Sequence, residues 1–240
     1  MYNTKFILTL LCFLFLFSCQ KETKLVFKES SFTTEKNTLV EIIIPVAEGN
    51  NNIGSVINSD LKKEIVKSLQ IVDNETTDLK SIEESIAAFN NEYSNFKKDF
   101  PEDFQPWEAQ IDGEIMYQSQ EIISMSLTSY INTGGAQGNL NISFLNYDAK
   151  TGNRIKNIDL FSDIENFKNV AKSYFENAIE DKSNAFNANS FELPENIGYT
   201  EEGLILLFNA YETAPYASEI IEFVIPFEKI SSLLIFDSTQ

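Results

Sequence analysis

The sequence predicts an α+β fold in which amphipathic helices pack on mainly antiparallel sheets. Several segments alternate apolar and polar residues, as half-buried strands do, whereas others repeat apolar residues every three or four positions, as helices do. Strand-like and helix-like segments come in runs instead of alternating strictly, which favours α+β over α/β architecture. With 240 residues, the chain is long enough for one large domain or two closely associated halves.

The first part of the chain predicts two strands followed by two helices. "KETKLVFKESS" and "NTLVEIIIPV" are strand-like, and Pro45 is expected to end the second. The apolar period then changes to four residues, which predicts one face of an amphipathic helix. The residues of that face are Ile53, Ile57, Leu61, Ile65 and Leu69. A second helix is predicted from Asp78 to Lys98, before the two prolines of "DFPEDFQPW".

The remainder of the chain is predicted to be mostly β-structure. "EIISMSLTSY" and "LNISFLNYD" alternate as strands do, and the glycine-rich "YINTGGAQGN" at 130–139 joins them. The helical spacing in "IENFKNVAKSYFENAI" predicts a third helix. "GLILLFNAY" and "IIEFVIPF" are the last predicted strands. The first of these is apolar on both faces, so we expect it to be central in its sheet.

The amino terminus predicts export and a lipid anchor. A short apolar stretch follows Lys5, and it is typical of a secretory signal because a membrane-spanning helix needs about 20 residues. Leu16-Phe17-Ser18-Cys19 resembles a lipobox, in which the cysteine is lipidated and becomes the new amino terminus. We expect a signal peptide over 1–18 and a lipidated tether over 19–24, on the periplasmic or surface-exposed face of a bacterial membrane. An ordinary signal peptide with an incidental cysteine is the alternative.

Composition excludes several kinds of chemistry. The chain has no histidine, so Ser-His-Asp catalysis and histidine metal sites are excluded. Cys12 lies in the signal and Cys19 carries the lipid, which leaves the mature chain without a thiol. Paired carboxylates remain the one catalytic option, and we predict no catalytic residue, no metal site and no cofactor. The formal charge of −18 argues against nucleic acid as a partner and favours a basic partner or none.

The glycine-rich loop is the first candidate binding element. It does not fit a phosphate-binding loop, because Asn139 leads into a strand and no Gly-Lys-Ser/Thr follows. Gly134, Gly135 and Gly138 suit either a recognition surface or a sharp corner that needs unusual backbone angles.

The segment "YETAPY" is the second candidate. Glu212 lies between Tyr211 and Tyr216, ahead of Pro215, in a short polar break between apolar strands. That composition suits a shaped recognition loop, although an ordinary turn closed by proline fits as well. Glu212 is also the acid on which a two-carboxylate glycan hydrolase would depend.

Core packing is the expected role of Trp107.

Both loops belong to a pattern that resembles a known family. "SYINTGGAQGN", "FLNYDAKTGNRIKNIDLF" and "FELPENIGYTEEGLILLFNAYETAPYASEIIEFVIPF" resemble the extracellular region of RsiV-type anti-sigma factors. That region joins a PdaC-like domain to a carboxy-terminal domain of unknown function, which here implies a PdaC-like half at 25–139 and an RsiV-type half at 140–237. The family loop reads Thr-Gly-Gly-Ala-His-Gly-Asn, so Gln137 replaces a histidine and cannot titrate near neutral pH. Glu219 stands where the family usually has glycine.

The resemblance implies binding rather than chemistry. In that family this region is a receptor for lysozyme, so we expect a non-catalytic binding module for a basic protein such as a lysozyme-like muramidase, or for a cell-wall peptidoglycan glycan. The candidate binding residues are Tyr130, Asn132, Thr133, Gly134, Gly135, Gln137, Gly138, Asn139, Tyr211, Glu212, Pro215 and Tyr216. A two-carboxylate glycan hydrolase and a structural lipoprotein without a small ligand remain the alternatives.

Overall fold

The structure is a computed structural model of the chain. It describes residues 24–34, 37–49, 52–71, 81–102, 105–179, 191–212 and 219–236. The predicted signal peptide, Cys19 and the start of the tether lie outside these ranges. None of the helices in the described ranges has the length and apolarity that a bilayer-spanning helix needs.

Nine strands of the described chain form two sheets. The first sheet has six strands in sequential order: β1 (Phe27–Thr34), β2 (Asn37–Ala47), β3 (Glu108–Gln118), β4 (Ile122–Asn132), β5 (Asn139–Asp148) and β6 (Arg154–Ile155). Its neighbours are antiparallel except β2 and β3, which are parallel. The second sheet is antiparallel, with β8 (Gly203–Phe208) between β7 (Asn196–Tyr199) and β9 (Ile221–Pro226). The predicted α+β class with mainly antiparallel sheets is confirmed, as is the central place of β8.

The helices pack on these sheets. They are α1 (Asn52–Ser68), α2 (Ile82–Asp99), α3 (Ile164–Ala178) and the single-turn α4 (Phe227–Ile230), with 3-10 turns at Asn157–Leu160 and Ser231–Leu233. In the described chain α2 begins after Ser81, whose hydroxyl accepts the Glu84 N–H at 3.1 Å and so caps the helix. The predicted start at Asp78 falls among residues 72–80, which are outside the described ranges.

Pro45 lies within β2, so the expectation that it ends the strand was wrong. The parallel pairing of β2 with β3 extends only from Val40 to Ile43, whereas the pairing with β1 continues to Ala47. Pro45 therefore lies in a stretch where β2 has a neighbour on one side only. A residue without an N–H is tolerated at such a one-sided position.

Two hydrophobic cores lie on opposite faces of the six-stranded sheet. The first is formed with α1 and α2, and includes Ile42, Ile57, Leu61, Ile65, Phe89, Ile111, Met125 and Tyr147. The second is formed with α3 and the three-stranded sheet, and includes Phe167, Phe175, Ile197, Tyr199, Leu206, Ile225 and Ile230. Strand β4 contributes to both, because Ile123 belongs to the first core and Ile122 to the second. Each fully buried side chain of this size contributes about 1.5–3 kcal/mol.

Polar side chains fix how β7 lies against β4 and β5. The Ser124 hydroxyl accepts the Tyr199 N–H at 3.0 Å, and the Asn146 amide donates to the Ile197 carbonyl at 2.7 Å. The Phe144 N–H donates to the Asn196 side chain at 3.1 Å. Because these groups are buried, any other register would leave them unpaired.

Candidate functional site

The glycine-rich loop at 133–138 closes the hairpin between β4 and β5. Its last strand pair is Ile131 with Asn139. The Asn132 side chain accepts the Gly134 N–H at 3.0 Å, which makes an Asx turn. Gly134 then has φ +88°, a left-handed conformation that glycine adopts without steric cost. The loop is therefore a defined turn.

Trp107 lies beneath this loop and supports it. Its indole is 6% exposed and packs against the rings of Phe89, Tyr93 and Phe96, with centroid separations of 5.7, 5.7 and 5.4 Å. Gly134 lies over the indole, since a Cβ at that position would be 3.6 Å from Nε1. The buried Nε1 has no hydrogen-bond partner among the described residues. The expected core role of Trp107 is confirmed.

The ring of Tyr130 packs against Gly138, at the end of the same loop. A Cβ added to Gly138 would collide with the Tyr130 ring. The ring thus covers the backbone where the chain enters β5, and glycine is required there for close approach. Gly135 has no such constraint: a Cβ at 135 would meet only the Gln137 carbonyl oxygen, at 3.6 Å.

The second candidate loop begins with a tight turn at 209–212, after β8. The Glu212 N–H donates to the Asn209 carbonyl at 3.1 Å. Between them, Tyr211 has φ +68° and is 58% exposed. A tyrosine in this left-handed conformation is uncommon, and such strain often marks a functional position. Pro215 and Tyr216 lie outside the described residues.

The Glu212 carboxylate holds the ends of two strands. Its Oε2 accepts the Asn209 N–H at 2.7 Å, and its Oε1 accepts the Glu195 N–H at 2.8 Å. Both oxygens are therefore engaged by the backbone. This arrangement suits a structural clamp at the ends of β7 and β8 better than a catalytic acid.

Asn209 brings the two loops to the same end of the molecule. Its side-chain amide donates to the Ile142 carbonyl at 2.8 Å, and its side-chain oxygen accepts the Ile142 N–H at 2.9 Å. Ile142 lies three residues after Asn139, where the glycine-rich loop ends. The 133–138 loop and the 209–212 turn therefore both emerge beside the first residues of β5. We call this region the loop end.

The described amino terminus lies at the other end. The Gln118 side chain donates to the Leu25 carbonyl at 2.8 Å, next to the turn between β3 and β4. Strand β4 runs from that turn to the glycine-rich loop over 11 residues. At about 3.3 Å per residue this separates the loop end from Leu25 by about 33 Å.

Most predicted binding residues in the described chain lie at the loop end. Those exposed to solvent are Thr133, Gly135, Gln137, Asn139, Tyr211 and Glu212, while Tyr130, Asn132, Gly134 and Gly138 are partly buried. Sequence reasoning missed Asn209 and Leu140. Leu140 belongs to the alternating segment "LNISFLNYD", yet it is 41% exposed at the loop end opposite Tyr130.

Within the described ranges, no three His, Cys, Asp or Glu side chains lie close enough together to hold a metal ion.

Comparison with known families places these loops in two domains. Residues 32–140 match the family described as "Deacetylase PdaC", and residues 155–228 match the family described as "Protein of unknown function (DUF3298)". The chain is a PdaC-like domain followed by a DUF3298 domain. This order agrees with the RsiV-like arrangement that the motifs predicted. No curated protein matches the chain significantly.

Solved structures of DUF3298 proteins share the fold. A DUF3298 family protein from Pseudomonas aeruginosa PAO1 has a TM-score of 0.60 at 15% identity, covering 89% of this chain and 95% of that one. A DUF3298 family member from Bacteroides fragilis NCTC 9343 has a TM-score of 0.60 at 16% identity, covering 89% of this chain and 93% of that one.

The loop end is built by both domains. The glycine-rich loop closes the PdaC-like domain, whereas Asn209, Tyr211 and Glu212 belong to the DUF3298 domain. Strand β5, which holds Ile142, runs through the junction between the two matched regions. The hydrogen bonds of Asn209 to Ile142 therefore couple the DUF3298 region to strand β5 of the six-stranded sheet.

Proposed function

We propose that this PdaC–DUF3298 protein is a lipid-anchored, non-catalytic binding module of the cell envelope. Its loop end binds a basic protein, for which a lysozyme-like muramidase is the sharpest candidate. The observation that carries this proposal is the pair of hydrogen bonds between Asn209 and Ile142, because they hold two exposed loops side by side. Two loops on a rigid scaffold form a larger contact surface than either loop alone.

The loop end exposes one aromatic side chain of the kind that anchors protein interfaces, that of Tyr211. Tyr211 is 58% exposed and Leu140 is 41% exposed. Aromatic residues are enriched among those that dominate binding energies. The chain carries 36 acidic and 18 basic residues. This excess of negative charge favours approach of a basic partner, and the association rate should fall with salt.

The place of the amino terminus is compatible with this role. A lipid on Cys19 would hold the molecule by the end that carries Leu25. The loop end would then lie about 33 Å further from the membrane surface, by the length of β4. A soluble partner could reach it without contacting the bilayer.

The first experiment is calorimetric titration of the chain from residue 20 onward with a C-type lysozyme, at low and moderate salt. We expect saturable one-to-one binding that survives moderate salt. Tyr211→Gly should weaken binding about 30-fold, as loss of an interface anchor does, while relieving the left-handed strain at that position. Val26→Ala is the matched control, because Val26 is 57% exposed near the amino terminus, and it should leave affinity unchanged.

The result separates recognition from general charge attraction. Binding that disappears at moderate salt, or that Tyr211→Gly and Val26→Ala affect equally, would overturn the proposal for lysozyme. A lytic assay on the complex then distinguishes a receptor from an inhibitor. A glycan array on the same variants tests the alternative ligand, a peptidoglycan glycan.

A further inference from the structure

A polar cleft lies between α1 and the turn that joins β5 to β6, away from the loop end. Its volume is about 380 Å³, within the range of about 300–1,000 Å³ that is common for small-ligand sites. The residues that line it are Asn52, Ser55, Val56, Ser59, Asp60, Lys63, Asn153 and Arg154. Almost all of them are polar, whereas most ligand pockets are largely apolar.

The wall formed by the turn is fixed in place. The Asp148 carboxylate accepts the N–H groups of Lys150 and Thr151 at 2.8 and 2.9 Å. Gly152 packs directly on α1, since a Cβ there would lie 2.6 Å from the Ile53 carbonyl oxygen. The cleft is therefore formed before any ligand arrives, which lowers the entropic cost of binding.

The floor of the cleft is a connected ionic network. Arg154 Nη1 donates to Asp60 Oδ2 and to the Tyr147 hydroxyl oxygen, both at 3.2 Å, and Nη2 donates to Glu64 Oε1 at 3.3 Å. The Tyr147 hydroxyl donates to Asp60 Oδ2 at 3.1 Å. Burial of Tyr147 raises the pKa of its phenol well above the ordinary value, so the hydroxyl stays protonated and holds Asp60. Asp60 and Arg154 are thus fixed in orientation.

Other polar groups around the cleft have no partner within the described ranges. The side chains of Asn52, Ser55, Ser59 and Asn153 line it without a hydrogen bond to any described residue, and Lys63 has no ion pair in the described part of the chain. Amides and hydroxyls can both donate and accept. A ligand with several hydroxyl groups would match this lining.

We propose that the cleft binds a small uncharged saccharide of one or two rings, at a site separate from the loop end. The charge of Arg154 is already neutralised before a ligand arrives, because its guanidinium is paired with Asp60 and with Glu64, which is not itself among the lining residues. An ionic ligand would compete with the Asp60–Arg154 pair, whereas hydroxyl groups can bond to the amides and hydroxyls that have no partner among the described residues. The Val56 side chain, 38% exposed, offers an apolar contact for the C–H face of a sugar ring.

The test is a two-dimensional amide NMR titration of the chain from residue 20 onward, a length that keeps every described residue. The probes are maltose, cellobiose and N,N′-diacetylchitobiose, with glutamate as a charged comparison. We expect at least one disaccharide to cause saturable shifts of the amides of Ser55, Ser59 and Asn153. Absence of such shifts well into the millimolar range for all three sugars, or tighter binding of glutamate, would overturn the proposal.

Variants locate the site and separate it from the loop end. Lys63→Ala and Asn153→Ala should each weaken saccharide binding about fivefold, the effect of one lost hydrogen bond. Lys67→Ala, on the same helix but outside the cleft, should leave affinity unchanged. Tyr211→Gly should also have no effect, so failure of lysozyme binding and failure of saccharide binding are distinguishable. Equal affinity in Lys63→Ala, Asn153→Ala and the unmodified protein would refute the assignment.

Discussion

The side-chain amide of Asn209 pairs with the backbone of Ile142 as the peptide group of a neighbouring strand would. It donates at 2.8 Å and accepts at 2.9 Å, so both polar backbone groups of Ile142 are satisfied. Strand β6 pairs with β5 only at Asn146 and Tyr147, which leaves the earlier part of the β5 edge without a strand partner. Asn209 therefore covers this part of the β5 edge and fixes the DUF3298 region on the six-stranded sheet.

Replacing Asn209 should loosen this junction. Asn209→Ala leaves the N–H and the carbonyl of Ile142 without their partners, so the free energy of unfolding should fall by about 2–3 kcal/mol. The measurement is urea denaturation followed by far-UV circular dichroism. Asn141→Ala is the matched control, because among the described residues the Asn141 side chain bonds only to the Ser143 hydroxyl in the same strand, and it should cost about 1 kcal/mol or less. Equal losses in the two variants would contradict the proposed coupling.

The contact between Gly138 and Tyr130 predicts a coupled pair of substitutions. Gly138→Ala should destabilise the protein by about 1–3 kcal/mol, because the new methyl group collides with the Tyr130 ring. In the double variant with Tyr130→Ala, most of this cost should disappear, which a double-mutant cycle measures. Gly135→Ala should change stability little, because its Cβ would make only an ordinary van der Waals contact of 3.6 Å with the Gln137 carbonyl oxygen. Additive effects of Gly138→Ala and Tyr130→Ala would show that the ring does not limit position 138.

The sequence predicted the parts of the fold that depend on local pattern. The four-residue apolar period that begins at Ile53 is the buried face of α1, where Ile57 and Ile65 are 0% exposed, and its last member, Leu69, directly follows the helix. The doubly apolar segment "GLILLF" is the central strand β8. Periodicity is informative here because burial of one face determines which positions must be apolar.

The sequence could not predict relationships that depend on the packing of distant segments. Asn209 and Ile142 are 67 residues apart, and an asparagine after a strand is normally a turn residue. Glu212 was recognised as unusual, but its two backbone partners become visible only when β7 and β8 are placed side by side. Leu140 fits the alternation of β5, yet the second sheet does not cover that part of the strand.

Glu212 provides a test that separates structural from catalytic roles. Glu212→Gln keeps one acceptor oxygen but places an NH₂ group against a backbone N–H, so one hydrogen bond is lost. We expect a loss of about 1 kcal/mol in the free energy of unfolding, at the low end for a charged acceptor because the side chain is exposed. Glu222→Gln, an exposed acid on β9, is the control and should have no effect.

This expectation changes how an activity assay on Glu212→Gln is interpreted. Since the carboxylate holds the backbone of Glu195 and Asn209, loss of an activity would first have to be corrected for loss of folded protein. Release of reducing ends from peptidoglycan by the unmodified protein, abolished in a Glu212→Gln variant of undiminished stability, would contradict the structural role.

Two buried phenols predict a loss of stability at alkaline pH. Tyr147 and Tyr199 are each 0% exposed, and burial raises both pKa values above the ordinary 10.0. The unfolded chain therefore releases these two protons at a lower pH than the folded protein does. As a result, the contribution of the two phenols to the free energy of unfolding is constant below about pH 10 and decreases as the pH rises above it. Each tyrosine should add a slope of about 1.4 kcal/mol per pH unit. Urea denaturation across that pH range measures the total slope. Among the described residues, Tyr199→Phe removes only the 3.4 Å hydrogen bond to the Phe236 carbonyl, so the stability of this variant at neutral pH should be nearly unchanged. The slope of its free energy of unfolding against pH above pH 10 should fall by about the contribution of one tyrosine. An unchanged slope in Tyr199→Phe would mean that this phenol does not drive the alkaline transition.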